Sequence, residues 1–338
     1  MEGKLSMIRL AIDAMGGDHA PEVVIEGVKQ ALATYSDIEI TLFGPQEELM
    51  SQFDDLTRLV IVDASEKITG EDDPVKTIRK KKDSSLVKAA YAVKDGHADA
   101  LISAGNTGAL LAAGLLIIGR LKGIERPGLM PLIPTINPSS PYFILMDAGA
   151  NADAKAIYLY QHALLANQYA QSVLKIETPR ISLLNNGAES GKGDKLRKEV
   201  YEQLEADQTL NFVGNIESKD LLAGNVDIVI TDGFTGNAVL KSLEGTAKAI
   251  FKLLKEALVQ SGLKTKVGAF LVKDRLKQLA LEFDDSKQGG AVLLGVNNAV
   301  VKAHGSSDDQ AIFNAIRQTR EIVQSQAIEK MKNIFNKN

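Results

Sequence analysis

Short apolar runs alternate with longer segments in which apolar positions recur every three or four residues. This alternation predicts an α/β chain with strands exchanging with helices around a largely parallel sheet. The strand candidates are 8–13, 39–43, 59–62, 100–103, 143–147, 181–184, 211–213 and 228–231, with helices filling most of the gaps. Beyond Gly289, AVLLGVNNAVVKAHG predicts two more strands before a last long helix over 307–335, opened by Ser307-Asp308-Asp309-Gln310 as a capping box. The most apolar stretch, ALLAAGLLIIG over 109–119, falls short of the about 20 residues that cross a bilayer and reads as a buried helix. Over 244–281, Ala247, Ile250, Leu253, Leu254, Ala257 and Leu258 fall on one helical face. After Gly262, Leu263, Val267, Phe270 and Leu271 interleave with Lys264, Lys266, Lys273 and Arg275. The pattern predicts a helical hairpin over 244–281 whose tip projects from the body, able to pair across a dimer or to complete a core.

One stretch of sequence occurs twice, 128 residues apart: DALISAGNTGA over 99–109 and DIVITDGFTGN over 227–237, identical at five of eleven positions. Each copy reads Asp, a short apolar run, then G-x-T-G opening a helix, which directs a glycine-flanked helix N-terminus out of the carboxyl end of a strand. Unsatisfied N–H groups and the positive end of the helix dipole converge there, and glycine admits close approach of an anion. Ser103, Asn106, Thr107 and Gly108, with Thr235, Gly236 and Asn237 across from them, are the candidate phosphate or oxyanion cradle. Tight βα turns and helix caps would use the same residue types. A weaker pair, IDAMGGD (12–18) and MDAGAN (146–151), also places Asp at a strand end before a glycine turn. The repeat divides a single domain over 1–338 into halves of roughly 1–140 and 141–305 sharing one sheet, and the proline cluster over 127–141 reads as an ordered crossover.

With 338 residues, 45% apolar and 24% charged, the chain can bury a large core. Its net charge of −4 argues against nucleic acid as a partner. The absence of cysteine excludes disulfides, thiolate zinc sites and a cysteine nucleophile. His19, His97, His162 and His304 are scattered without metal-ligand spacing, so no metal and no cofactor is expected. The first residues show no signal peptide, which predicts a cytoplasmic protein.

In this order and spacing, IDAMGGDHAP, SAGNTGA, MDAGAN, LLNNGAESGKG, GNIESKD, DGFTGN, GGAVLLGVN and VKAHGSSD resemble the bacterial phosphate acyltransferases of phospholipid synthesis over nearly the whole chain. Residues 1–6 extend beyond the methionine at which such chains usually begin. The resemblance implies transfer of a long-chain fatty acyl group from acyl carrier protein to inorganic phosphate. It also implies the three-layer α/β/α fold of the isocitrate and isopropylmalate dehydrogenases, with two intertwined subdomains on one mixed sheet. A homodimer attached peripherally to the inner face of the plasma membrane is further implied, with a glycerol-phosphate acyltransferase as a possible downstream partner.

Phosphate is itself a competent nucleophile, in keeping with a chain that has neither cysteine nor a G-x-S-x-G elbow. Positioning, a dry site and oxyanion stabilisation remain for the protein to supply. Within that frame His19 and His304, each beside a glycine loop, are candidates to protonate the leaving thiolate. Lys192 in the 183–193 loop is a candidate to neutralise phosphate, and Lys241 follows the second cradle closely enough to face the same cleft. Asp13, Asp18, Asp147 and Asp232 stand at strand ends, where α/β proteins place chemistry. There the roles open to them are to hold loop backbone, to orient a Lys or His, or to bind a divalent ion, and Asp232 is counted with the catalytic candidates. Arg79, Lys80, Lys81 and Lys82 form a cationic run suited to an acidic carrier protein, or to a solvated face. Leu263, Val267, Phe270 and Leu271 suit shallow insertion into an anionic membrane surface. The rival readings are a short-chain phosphate acyltransferase using acyl coenzyme A and a noncatalytic membrane-surface scaffold. A dehydrogenase is disfavoured because A-M-G-G-D-H is no G-x-G-x-x-G and no carboxylate array for a metal stands out.

Overall fold

Every apolar run read as a strand forms one in the computed structural model, which describes residues 7–259, 268, 270–276 and 285–335. The strands are β1 Ile8–Asp13, β2 Ile38–Gly44, β3 Leu59–Asp63, β4 Ala100–Ser103, β5 Gly128–Met130, β6 Leu132–Pro134, β7 Tyr142–Met146, β8 Ile181–Asn185, β9 Phe212–Glu217, β10 Ile228–Ile230, β11 Ala291–Leu294 and β12 Ala299–Lys302. The helices used below are α1 Glu22–Thr34, α2 Gln46–Met50, α3 Pro74–Lys80, α4 Ser85–Lys94, α5 Thr107–Ala113, α6 Ala156–Ser172, α7 Lys195–Ala206 and α8 Gly233–Val259, and two more at Asp309–Gln324 and Ala327–Phe335 follow.

Seven strands order as β3-β2-β1-β4-β12-β11-β5 and five as β6-β7-β10-β8-β9. Most neighbours are parallel, and the antiparallel pairs are β12-β11, β11-β5 and β6-β7. Strands β4, β10 and β12 are buried at every position, which is why their sequences run apolar without alternation. The expected single mixed sheet is therefore hydrogen-bonded in two parts. Pro131, between β5 and β6, has no N–H to give a ladder. Leu145 N still donates to Pro131 O at 3.2 Å and Ala148 N to Leu129 O at 2.8 Å, which ties the two parts together. The proline-rich segment is ordered, as expected, but it contributes two strands as well as the crossover.

One core runs unbroken along one face of both parts, joining Leu10, Ile12 and Ile40 to Met146, Leu183 and Ile230 beneath α1, α6 and the C-terminal helices. The opposite faces carry separate cores, Ala11, Phe43 and Leu101 under α4 and α5, and Phe143, Leu145 and Val229 under the start of α8. The layers are thus helix, sheet, helix. The last helical segment differs from its expectation in two ways. Its N-cap is Asp308, which accepts from Ala311 N at 2.9 Å, while Ser307 Oγ is buried with no hydrogen-bond partner. The run also breaks at Gln326, whose φ of 54° lies in the left-handed region, giving two helices.

The leading Asp of each repeated stretch has the same structural job. Asp99 accepts from Arg9 N at 2.8 Å and from its guanidinium at 2.6 Å, while a further guanidinium N–H reaches Gly96 O. Asp227 accepts from Arg180 N at 2.8 Å and from its guanidinium at 2.8 Å, with the remaining reach to Gly224 O. Each carboxylate closes the entry to a central strand with a bidentate arginine clamp. Burial alone would raise the Asp227 pKa, but the Arg180 hydrogen bonds and charge outweigh it and hold the carboxyl below its ordinary value. The stability this adds is present above the ordinary carboxylate pKa and fades as pH falls through the lower folded-state value. Asp227→Asn is expected to cost about 1–2 kcal/mol at pH 7. In urea melts that deficit should shrink below about pH 4. A deficit independent of pH would show that the charge is not what stabilises the clamp.

Candidate active site between the two repeated turns

A cleft of about 200 Å³ opens where the two repeated turns face each other. Thr107 from the first copy and Asn237 from the second both line it, with Lys241, Lys302, His304 and Gly149 around them. Leu129 and Leu132, from β5 and β6, supply apolar wall. The joining of the two sheet parts and the meeting of the two turns therefore occur at one place.

The first turn is built on a buried carboxylate. Asp13, at the end of β1, accepts from Ser85 Oγ at 2.5 Å, Ser103 Oγ at 2.7 Å and Met15 N at 3.1 Å. Burial pushes its pKa up, against the pull of these donors. A Cβ on Gly16 would lie 2.6 Å from Asp13 Oδ2 and 2.7 Å from Gly105 N, so only glycine lets the two loops touch. Asn106 caps α5 by accepting from Ala109 N at 3.0 Å, and its amide donates to Thr69 O at 3.0 Å. The N–H groups of Thr107 and Gly108, first in the helix, meet no protein acceptor among the described residues. They are the orphan donors expected of a helix start.

The second turn uses a different cap. Asp232 accepts from Thr235 N at 2.9 Å and Thr235 Oγ1 at 2.8 Å, so α8 begins at Gly233, two residues earlier in the repeat than α5. Arg197 completes the cluster, donating to Asp232 and, at 3.1 Å, to Thr235 Oγ1. Burial would raise the Asp232 pKa, but the Thr235 N–H and O–H and Arg197 together hold it low. Behind it, fully buried Asp147 accepts from the N–H groups of Leu129, Gly149, Ala150 and Asn151 at 2.8–3.0 Å. A Cβ on Gly236 would lie 1.9 Å from Asp147 O.

The sequence candidates thus separate. Thr107, Asn237, His304 and Lys241 line the cleft. Ser103, Asn106, Gly108 and Gly236 form the turns beneath it, and Thr235 and Asp232 spend their polar atoms on each other and on Arg197. Lys192 is exposed on its loop, its stem against Gly187. His19 is exposed at the rim, where its neighbour Asp18 donates its N–H to Gly305 O at 2.8 Å. Ser306 N donates to His304 Nδ1 at 3.2 Å, which leaves Nε2 as the proton-bearing nitrogen of the neutral ring. Two charged lining residues were missed. Glu244 pairs with Lys241 at 2.8 Å, and Lys302 stands at the end of β12 with its side chain buried. Lys302 closes an apolar run, AVVK, two residues before His304; that position at a strand end was the available signal.

Comparison with known proteins places the chain. The family described as "Fatty acid synthesis protein" matches residues 8–330. A phosphate acyltransferase of Pediococcus pentosaceus is 51% identical over 97% of this chain and 94% of its own length. One of Streptococcus equi subsp. zooepidemicus is 52% identical over 98% of both. The chain belongs to the phosphate acyltransferase family. As a member it is an acyltransferase of fatty acid synthesis. In fold it is similar to a phosphotransacetylase from Streptococcus pyogenes, with a TM-score of 0.58 and 18% identity over 96% of this chain and 94% of the other. A 4-hydroxythreonine-4-phosphate dehydrogenase from Klebsiella pneumoniae shares the architecture at a TM-score of 0.52 and 12% identity, covering 94% of this chain and all (100%) of the other. The expected α/β/α class is thereby upheld.

Close packing of the second turn predicts that Gly236→Ala loses at least about 2 kcal/mol in chemical denaturation, because the methyl must displace backbone. Gly245→Ala, with nothing within 4 Å of its Cβ, should instead gain up to about 1 kcal/mol. Equal stability of the two variants would refute the contact.

Proposed function

We propose that the protein transfers a long-chain fatty acyl group from acyl carrier protein to inorganic phosphate, releasing acyl phosphate for phospholipid synthesis. The supporting observation is that donors from both copies of the repeat, Thr107 and Asn237, line one cleft with the cations Lys241 and Lys302 and with His304. In this reading a phosphate oxygen attacks the thioester carbonyl, the carbonyl oxygen carries the tetrahedral negative charge, and collapse expels the carrier's thiolate. The N–H groups at the start of α5 and the Asn237 amide are the oxyanion donors, and His304 Nε2–H lies on the wall from which a proton reaches the departing sulfur. Preorganised dipoles of this kind need no reorientation as charge develops. Lys192 and His19, on loops at the margin, act on the incoming substrate and not on the reacting carbonyl. Ser103, Asn106, Gly108, Thr235, Gly236 and Asp232 set the cradle's shape.

The carrier docks on α3. That helix packs against α5, and a Cβ on Gly108 would sit 2.6 Å from Pro74. Arg79 and Lys80 are exposed there, and Lys82 lies 5.5 Å from the Tyr91 ring centroid. Lys81 departs from the expected patch, because its ammonium turns inward to Asp72 at 2.8 Å and to Lys67 O. The protein works in the cytoplasm as a homodimer resting on the inner face of the membrane, where a glycerol-phosphate acyltransferase consumes its product. Among the described residues no helix is long and apolar enough to cross a membrane. In the proposed contact segment Phe270 and Leu271 are 78% and 76% exposed, as free apolar insertion requires. Leu263 and Val267 lie outside the described residues.

Pure protein given long-chain acyl carrier protein and labelled phosphate should yield labelled acyl phosphate, with acyl coenzyme A a much poorer donor; no labelled product refutes the reading. Arg79→Glu with Lys80→Glu should raise KM for the carrier about 3–10-fold at low salt and leave KM for phosphate unchanged. Equal effects on both would remove the docking role. Phe270→Glu with Leu271→Glu should abolish sedimentation with anionic vesicles while turnover in solution persists, and retained sedimentation would exclude this segment as the contact.

A further inference from the structure

Resting on that reading, we propose that Lys302 is the cation that seats the attacking phosphate, so that the nucleophile binds against the end of β12. Lys302 is the last residue of that strand, in parallel register with Ser103 at the end of β4, and Ala303 N donates to Ser103 O at 3.0 Å. The residue is only 9% exposed, yet it lines the cleft. An ammonium has three N–H donors. Two are spent on backbone, to Ala303 O and, at 3.3 Å, to Ala104 O, a carbonyl within the turn of the first cradle. The third has no protein acceptor among the described residues.

Charge points the same way as geometry. Among the described residues no carboxylate lies within 4.0 Å of the Lys302 ammonium. Asp13 and Asp18 act on it only from farther off, and Asp13 is occupied by Ser85, Ser103 and Met15 N. Lys241, the other cation of this cleft, already has Glu244 at 2.8 Å. A buried cation without a contact counter-ion is costly, and an anion in the adjoining cleft completes it. The carbonyl dipoles of Ala104 and Ala303 meanwhile hold the ammonium in place, with little rotamer freedom left to lose on binding. Burial lowers its pKa to about 8, against the pull of Asp13 and Asp18, so it remains mostly charged at neutral pH.

Inorganic phosphate is the probe. By equilibrium dialysis Lys302→Met should bind it about 30-fold more weakly or worse, with KM for phosphate rising in parallel and KM for the acyl donor within about threefold. Lys302→Arg should retain part of the affinity. A Lys302→Met variant that binds phosphate like the parent, or one in which both KM values rise equally at unchanged melting temperature, overturns the assignment. Should Lys302→Met fail to fold, reductive methylation of the parent decides: saturating phosphate should slow labelling of Lys302 relative to exposed Lys198, and no protection overturns it. If the parent binds phosphate through Lys302 but forms no acyl phosphate, the proposed reaction fails while this assignment stands.

Discussion

Two buried carboxylates hold the functional end of this molecule together. Asp13 and Asp147 each end a strand, and each is withdrawn from water, a position no carboxylate tolerates without donors to replace the solvent. Asp13 collects two serine hydroxyls and a backbone N–H from three separate segments. Asp147 collects backbone N–H groups from the turn that follows it and from β5. The demand of each carboxylate thus dictates the course of a loop, and each loop packs glycine-close against the turn that opens a cleft-lining helix. Removing either acceptor would free several donors at once, so these sites act as units and not as sums of pairs.

The same economy sorts charge around the cleft. Negative groups are committed inside the protein, Asp13 to serines, Asp147 to amides and Asp232 to Arg197 and Thr235. What faces the cavity among the described residues is helix-start N–H groups, two amides, an imidazole and two ammonium groups, with Glu244 as the one carboxylate lining it. A carboxylate beside bound phosphate would repel it. Engaging the aspartates in structure lets residues of both signs crowd the strand ends while the open surface favours an anion.

The two copies of the repeated stretch have diverged in an instructive way. Their aspartates, Asp99 and Asp227, make equivalent arginine clamps, so the strand entrances have stayed alike. Their exits have not. Asp232 replaces Ala104 of the first copy and caps its helix two residues sooner, which draws Thr235 into the cap and leaves Asn237 to present the polar group that Thr107 presents on the other side. Identity of sequence at the threonine therefore did not carry identity of role, because a cap placed two positions earlier in the repeat changed which residue faces outward.

The α/β class, nearly all strands, the paired helix starts and the family were legible in the chain, since each depends on local periodicity, turn chemistry or ordered motifs. Four things were not. The break at Pro131 is a matter of which strand lies beside which, and the short β5 and β6 carry too few residues to show a period. The inward turn of Lys81 and the hydrogen bond from Arg197 to Thr235 each join residues distant in the chain, Lys81 to Asp72 across 9 positions and Arg197 to Thr235 across 38. Lys302 looked like the polar end of an apolar strand. Only the packing of β12 beside β4, which sets its ammonium between two carbonyls at the wall of the cleft, made it a buried cation with no counter-ion in contact among the described residues. Local sequence determines what a segment can become; desolvation and contact across the fold decide which of its charges are spent on structure and which remain for a ligand.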